Sequence, residues 1–375
     1  MKAINIISFN VPLPANYGGV IDVFYKLKQF YKNDIKVHLH CFEYGRGEQK
    51  ELSKYCESVT YYKRKTGVAA QISSLPYIVN SRTSTQLKTN LLKNDFPILF
   101  EGLHCCFLLD DNDFKSRFKI VRNHNIEHNY YSELAKIESN PLKRTYYKTE
   151  AKKLKEFEPI IKKATICLTI SKTDNDYFTK KYPETNFVYI PGFHSNETVN
   201  VIPKKGNYVL YHGNLSVIEN NNAAKFIVEN LFNDLNIPLK IAGLNPPKSL
   251  IRLIKTYTNI ELIQNPNDAE MLQLIANAQI NLLYTEQATG IKLKLLNVLY
   301  NGKHCILNSK MIEGTSLKDV CLVENDSTKL KSLITNTFSK EISENEIKNR
   351  NAILLQDYSN EKSFKKIITA IQKHS

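Results

Sequence analysis

Apolar residues along this chain come in short β-rich runs separated by segments of helical spacing. The first run, INIISFNV (4–11), leads through PLPANYGG into VIDVFYKLKQFYK, where Val20, Phe24, Leu27 and Tyr31 recur at helical intervals. Further runs are IKVHLHCF, SVTYYK, PILFEG, FKIVRNHN and TICLTI, mostly spaced by helical or polar stretches. Strand and helix in alternation predict βαβ units and a mainly parallel sheet.

A second, more regular series follows FVYIPGFHSNE. Its strand-like runs are NYVLYHG, LKIAGL, IELIQN, INLLYT, HCILN and VCLVEN, with helix-like stretches such as DAEMLQLIANA and IKLKLLNVLYN between them. The polar HSNETVNVIPKKGN, with Pro203 and Gly206, reads as a linker. The expected architecture is α/β: two Rossmann-like, doubly wound parallel-sheet domains facing a cleft. Residues 1–195 form the first domain and 206–357 the second. The amphipathic segment 358–375 is a helix able to pack back on the first domain.

Length supports the division, since 375 residues exceed what one ordinary core holds. No apolar run approaches the roughly 18 residues of a membrane span, and the N-terminal run reads as a strand and not as a signal peptide. Seven cysteines without CxxC or zinc spacing fit reduced thiols in a cytoplasmic protein. Net charge is +14, and residues 1–195 hold 30 Lys/Arg against 20 Asp/Glu, so the first half carries most of the excess. Such a half suits an anionic partner (nucleic acid, a phosphorylated substrate or an anionic membrane face) or simply a lysine-rich composition. Within it, NPLKRTYYKTEAKKLKEFEPIIKKA reads either as a solvated helix face laced with i,i+4 pairs or as a membrane-surface contact.

Ligands of open α/β sheets bind beyond the carboxyl ends of the strands. After the first strand, Gly18 and Gly19 open a helix, where backbone N–H groups can approach a phosphate; a tight turn explains them equally, and neither GxGxxG nor a P-loop is present. EGLHCC places His104 near a strand end. VRNHNIEHNYYSELAK gathers Arg122, His124, Glu127 and His128 after the fifth run. His124 and His128 have the spacing of a zinc pair, but HExxH and a third ligand are missing. Orientation of sugar hydroxyls, general-base work and plain structural hydrogen bonding all remain open for these histidines. In the second half, Gly213 and Asn214 end a strand, and Asn220 to Asn222 fall at a helix start, where capping accounts for one of them.

YHGNLSVIENNNAAKFIVENL followed by IKLKLLNVLYNGKHCILNS resembles the donor-binding half of GT-B glycosyltransferases of the retaining, family-four type. Gly213, Asn222, Gly290, Lys292, Lys294 and Gly302 stand in the positions of that pattern, and Gly18-Gly19 and HNIEHNYY fit its first domain. The resemblance implies a nucleotide-sugar donor held by the second domain and a glycan or lipid-linked saccharide acceptor at the first. It implies no bound metal and no cofactor beyond the nucleotide-sugar co-substrate, because basic side chains and helix N-termini stabilise the leaving diphosphate. The expected setting is bacterial surface polysaccharide assembly in the cytoplasm, with a peripheral contact at the inner membrane and no specific nucleic acid. Donor-side residues would be Gly18, Gly19, Gly213, Asn214, Glu286, Gly290, Lys292, Lys294 and Asn297. Acceptor-side residues would be Arg122, Glu127 and His128, with His104, His124 and Lys294 at the chemistry.

One departure stands out. Many relatives carry two glutamates with seven residues between them at this helix start, and here Thr289 and Asn297 occupy those positions, with Glu286 near enough to replace the first. The alternative expectation is therefore a non-catalytic GT-B partner or scaffold of a glycan-assembly complex.

Overall fold

The runs dense in Ile, Leu and Val become strands covered on both faces, as parallel sheets require. The computed structural model describes residues 1–286 and 293–374. In the first unit, β1 (Ala3–Ser8), β2 (Lys36–Glu43), β3 (Ser58–Lys63), β4 (Ile98–Glu101), β5 (Lys119–Asn123), β6 (Ile166–Thr169) and β7 (Phe187–Tyr189) form one sheet ordered β3-β2-β1-β4-β5-β6-β7. Every residue of β1, β4, β5 and β6 is buried. The second unit holds β8 (Val209–Asn214), β9 (Leu239–Leu244), β10 (Ile260–Gln264), β11 (Ile280–Leu283), β12 (His304–Leu307) and β13 (Leu322–Val323), ordered β10-β9-β8-β11-β12-β13. All pairings are parallel, with Ile6 opposite both Leu39 and Leu99, and Leu210 opposite Lys240.

Both sheets reverse their winding beside the first strand, between β1 and β4 and between β8 and β11. Those are the switch points where an open α/β sheet leaves a crevice at its carboxyl edge. Two glycines keep the second one tight. A Cβ on Gly243 would lie 1.8 Å from the Gly213 carbonyl oxygen, and one on Gly302 would lie 2.4 Å from the Asn281 amide nitrogen.

The first unit comprises residues 1–195 together with the last helix, and the second comprises residues 196–286 and 293–357. The last helix, Asn360–His374, buries Phe364, Ile367 and Ile371 in the core that contains Phe30 of helix Gly18–Lys32. The Phe30 and Phe364 rings meet edge-on at 4.9 Å. Each such aromatic contributes about 1.5–3 kcal/mol of burial, enough to hold a helix separated from this core by the whole second unit.

The basic stretch forms helix Pro141–Phe157, capped by the Asn140 side chain, which accepts from the Leu142 and Lys143 N–H groups. It is not a uniformly solvated face. Glu150 is buried, accepts from the Tyr77 N–H at 2.6 Å and pairs with Lys153 at 3.3 Å, while Lys143, Arg144, Lys148, Lys152 and Lys155 are exposed. No helix among the described residues is long and apolar enough to cross a membrane.

Candidate functional site

Beyond β1, β4 and β5 the first unit places charges where water cannot reach them. Helix Gly18–Lys32 turns Asp22 and Lys26, one turn apart, toward the sheet, and both are fully buried. Lys26 Nζ donates to Asp22 Oδ2 at 2.9 Å and to Glu101 Oε1 at 2.6 Å. Arg122 grips Asp22 with two donors, at 2.9 and 3.1 Å, and also reaches the Ile190 and Pro191 carbonyls. The Phe193 N–H donates to Asp22 Oδ1 at 2.8 Å, and His124 Nε2 lies 3.1 Å from Glu101 Oε2. Burial alone would raise both carboxyl groups. For Asp22 the charges of Arg122 and Lys26 outweigh it, and for Glu101 the charge of Lys26 and the contact with His124 do, so both are held below the usual carboxylate range.

Asp22, Glu101 and His124 bring ligand atoms within 4.8 Å of one another, close enough for a metal. A cation there would face Lys26 and Arg122, which already neutralise both carboxylates. The donor set does not fit a metal.

Next to this network lies a looser pair. Gly102, at φ +76°, turns the chain out of β4 in a conformation that favours glycine, and His104 follows. His104 Nδ1 and Glu127 Oε1 are 3.9 Å apart; both are buried, and neither has a hydrogen-bond partner among the described residues. Burial pushes the Glu127 carboxyl up to about 7 against a hydrogen bond from Asn125. Burial, reinforced by Arg82, holds the His104 imidazole well below its ordinary value. The Phe9 ring lies 5.5 Å from both His104 and His124 and fills the space over Gly19, where a Cβ would meet it at 2.6 Å.

His128 faces elsewhere. Its Nδ1 pairs with Glu158 at 2.8 Å, and Glu158 also takes Lys181 and the Tyr182 hydroxyl. His124 and His128 therefore serve different carboxylates, and the zinc-pair spacing brings nothing together. Arg122, expected to meet an acceptor, is 0% exposed with donors committed to Asp22 and three backbone carbonyls. It positions the network and cannot touch a ligand.

In the second unit the strand end is built from amides. Asn214 Oδ1 accepts from the Ser216 N–H and hydroxyl, closing a tight turn after β8. Helix Ile218–Phe226 begins with Val217 as cap, so none of the three asparagines caps it. Asn220 instead reaches back. Its amide donates to the Asn214 carbonyl at 3.0 Å, its own carbonyl accepts from the Tyr211 hydroxyl, and its Oδ1 accepts from Lys294 Nζ at 3.3 Å. Lys294, near the start of helix Leu293–Asn301, also lies 5.5 Å from the centre of the Tyr211 ring. An ammonium group thus stands at the switch point of the second sheet, beside Gly213.

Gly290, Lys292 and Thr289 lie outside the described residues. Glu286 is exposed and pairs with Lys310 at 2.7 Å, while also accepting from the Tyr284 hydroxyl. Asn297 accepts from the Asn301 amide through both its backbone and side-chain oxygens, at 2.9 and 3.0 Å. Sequence reasoning noted Asn220 only as one of three helix-start asparagines, and it passed over Asp22, Lys26, Glu101 and Asn308. The last clamps Thr285 through its amide, at 2.7 and 3.3 Å. An acid and a base one turn apart on an otherwise apolar helix face was a readable signal for Asp22 and Lys26; Glu101 and Asn308 carry none beyond standing at strand ends.

No family model matches the chain. It is 26% identical over 368 residues to an uncharacterized 44.6 kDa protein in the cps region of Klebsiella pneumoniae, covering 92% of each. Among solved structures it is similar to HepE of Anabaena in complex with UDP and glucose, with TM-score 0.66, 10% identity and 100% of each chain covered. It is likewise similar to the lipopolysaccharide outer core galactosyltransferase WaaB, with TM-score 0.64, 13% identity and 100% of each chain covered. Two parallel sheets in Rossmann order, matched over their whole length by these structures, give the chain the GT-B fold of glycosyltransferases.

Proposed function

We propose that this protein is a glycosyltransferase that moves a sugar from a nucleotide-diphosphate donor to a glycan or lipid-linked acceptor in surface polysaccharide assembly. The observation that carries this reading is the Lys294 ammonium at the β8 edge, held by Asn220 and Tyr211. A leaving diphosphate gains charge as the glycosidic bond breaks, and a pre-placed cation stabilises that charge without a metal. The fold supports the reading, as does the presence of UDP in one similar structure and the cps-region relative. In the first unit, His104, His124 and Glu127 supply hydrogen-bonding groups suited to sugar hydroxyls. Transfer retains the anomeric configuration on this reading, as the family-four resemblance implies. The exposed Lys143, Arg144, Lys148, Lys152 and Lys155, with Leu142 at 81% exposure beside them, suit a peripheral contact with an anionic inner-membrane face. The setting is then cytoplasmic.

Incubation with UDP-, GDP- and ADP-sugars and a lipid-linked saccharide, read by mass spectrometry and anomeric NMR, tests this. A new glycosidic bond of unchanged configuration is expected, and the absence of transfer from every donor contradicts it. Asn297 favours a second reading. Its amide is uncharged and engaged with Asn301 where a carboxylate would meet a ribose, as suits a GT-B scaffold that binds glycan without transferring it. Such a scaffold would keep its cellular role when Lys294 becomes Ala.

A further inference from the structure

We propose that Glu101 is a positioning residue for His124: it takes the Nε2–H and so presents Nδ1 as a hydrogen-bond acceptor for a ligand hydroxyl. Glu101 is 0% exposed, with one oxygen committed to Lys26 at 2.6 Å and the other 3.1 Å from His124 Nε2. An ionised carboxylate only accepts, so the imidazole nitrogen facing it carries the hydrogen. Two carboxylates, Asp22 and Glu101, are matched by two cations, Lys26 and Arg122. The charges of the network therefore balance without a further proton on the imidazole.

Geometry fixes the other nitrogen as well. The Phe9 ring stands edge-on to the imidazole at 5.5 Å and is itself confined over Gly19. Nδ1 makes no hydrogen bond among the described residues and is not shut away from solvent. A lone pair in that place selects a donor. Hydroxyl groups qualify, whereas an ionised phosphate or carboxylate offers no hydrogen. The pair is thus a reader of sugar hydroxyls in the first unit, distinct in chemistry from the cationic diphosphate contact of the second. Only the identity of that hydroxyl rests on the glycosyltransferase reading. The tautomer does not.

The test uses the full chain labelled with 15N-histidine, its His124 signals identified by their loss in His124→Gln. Long-range 1H–15N correlation at neutral pH should show His124 protonated at Nε2 alone. Protonation at Nδ1, or at both nitrogens, would overturn the proposal whether or not Glu101→Gln folds. Glu101→Gln, checked for cooperative unfolding, should mix the two tautomers. It should also lower kcat by about 10- to 100-fold, as for one hydrogen bond to a charged group, with the donor KM nearly unchanged. In the His124→Gln background the same change should cost nothing more. An unchanged tautomer in Glu101→Gln, or an additive loss in the double variant, would show that Glu101 acts only through stability. The tautomer is read without substrate, so failure to find transfer would count against the transferase reading and leave this assignment standing.

Discussion

The two sheets share one strand order, yet their carboxyl edges solve different problems. Beyond β1, β4 and β5, Asp22, Lys26, Glu101 and Arg122 are sealed from water and paired, and His104, His124 and Glu127 lie against them. Beyond β8 and β11 the groups are amides and one ammonium: Asn308 is buried against Thr285, Asn214 is exposed, and Asn220 and Lys294 are half-buried. A buried network gives rigidity and fixed hydrogen-bond directions at a high desolvation cost. An amide edge carrying an ammonium instead presents hydrogen-bond donors and positive charge to an anion. The contrast fits a hydroxyl-reading unit and a phosphate-reading unit, and it can be broken from either side.

The largest effect is expected from Asp22→Ala, which strands Arg122 without a counter-charge in the core and leaves Lys26 with Glu101 alone. Urea titration should show a loss of about 3–5 kcal/mol; a loss under 1 kcal/mol would mean that the network is not buried in solution. Glu127 comes next, through pH. Its carboxyl is raised from 4.5 to about 7, so the folded state holds a proton that the unfolded chain has released. Stability on this account is full below pH 4.5 and falls as pH rises toward 7. Across pH 4.5–8 the protein should lose about 3 kcal/mol that Glu127→Gln does not lose. Equal pH slopes for both proteins would show that Glu127 is solvated.

In the second unit the expected changes appear in binding. Lys294→Ala should leave stability within about 1 kcal/mol, because the side chain is only partly buried. The smallest effect is assigned to Glu286→Gln. Its pairing with Lys310 is exposed on both sides, and removing it should change stability by no more than about 0.5 kcal/mol. A larger loss would give Glu286 a structural part in the strand-end loop.

Much of this was legible in the residues themselves. Ile-rich runs at βαβ spacing announced both parallel sheets, the strand-end rule directed attention to His104, His124 and Gly213, and the family resemblance pointed to Lys294. What the sequence concealed was partnership between distant positions. Glu101 and Lys26 meet across 75 residues, and no local pattern announces that a strand-end glutamate will face a helix lysine. The same blindness misread Arg122, whose neighbourhood of histidines suggested a ligand contact while β5 turned it inward to Asp22. Asn220 was named among three helix-start asparagines, but its partner was not legible. Helix-start asparagines usually cap, and only the position of Val217 shows that this one bridges β8 to Lys294.

The central claim, a nucleotide-diphosphate contact at the β8 edge of the second unit, is tested most directly by calorimetric titration of UDP, GDP and ADP into the protein and Lys294→Ala. One nucleotide should bind the unaltered protein, and the variant should bind it about 10- to 100-fold more weakly, as for one charge-assisted contact. No binding at millimolar nucleotide, or equal affinity in both proteins, would contradict the account.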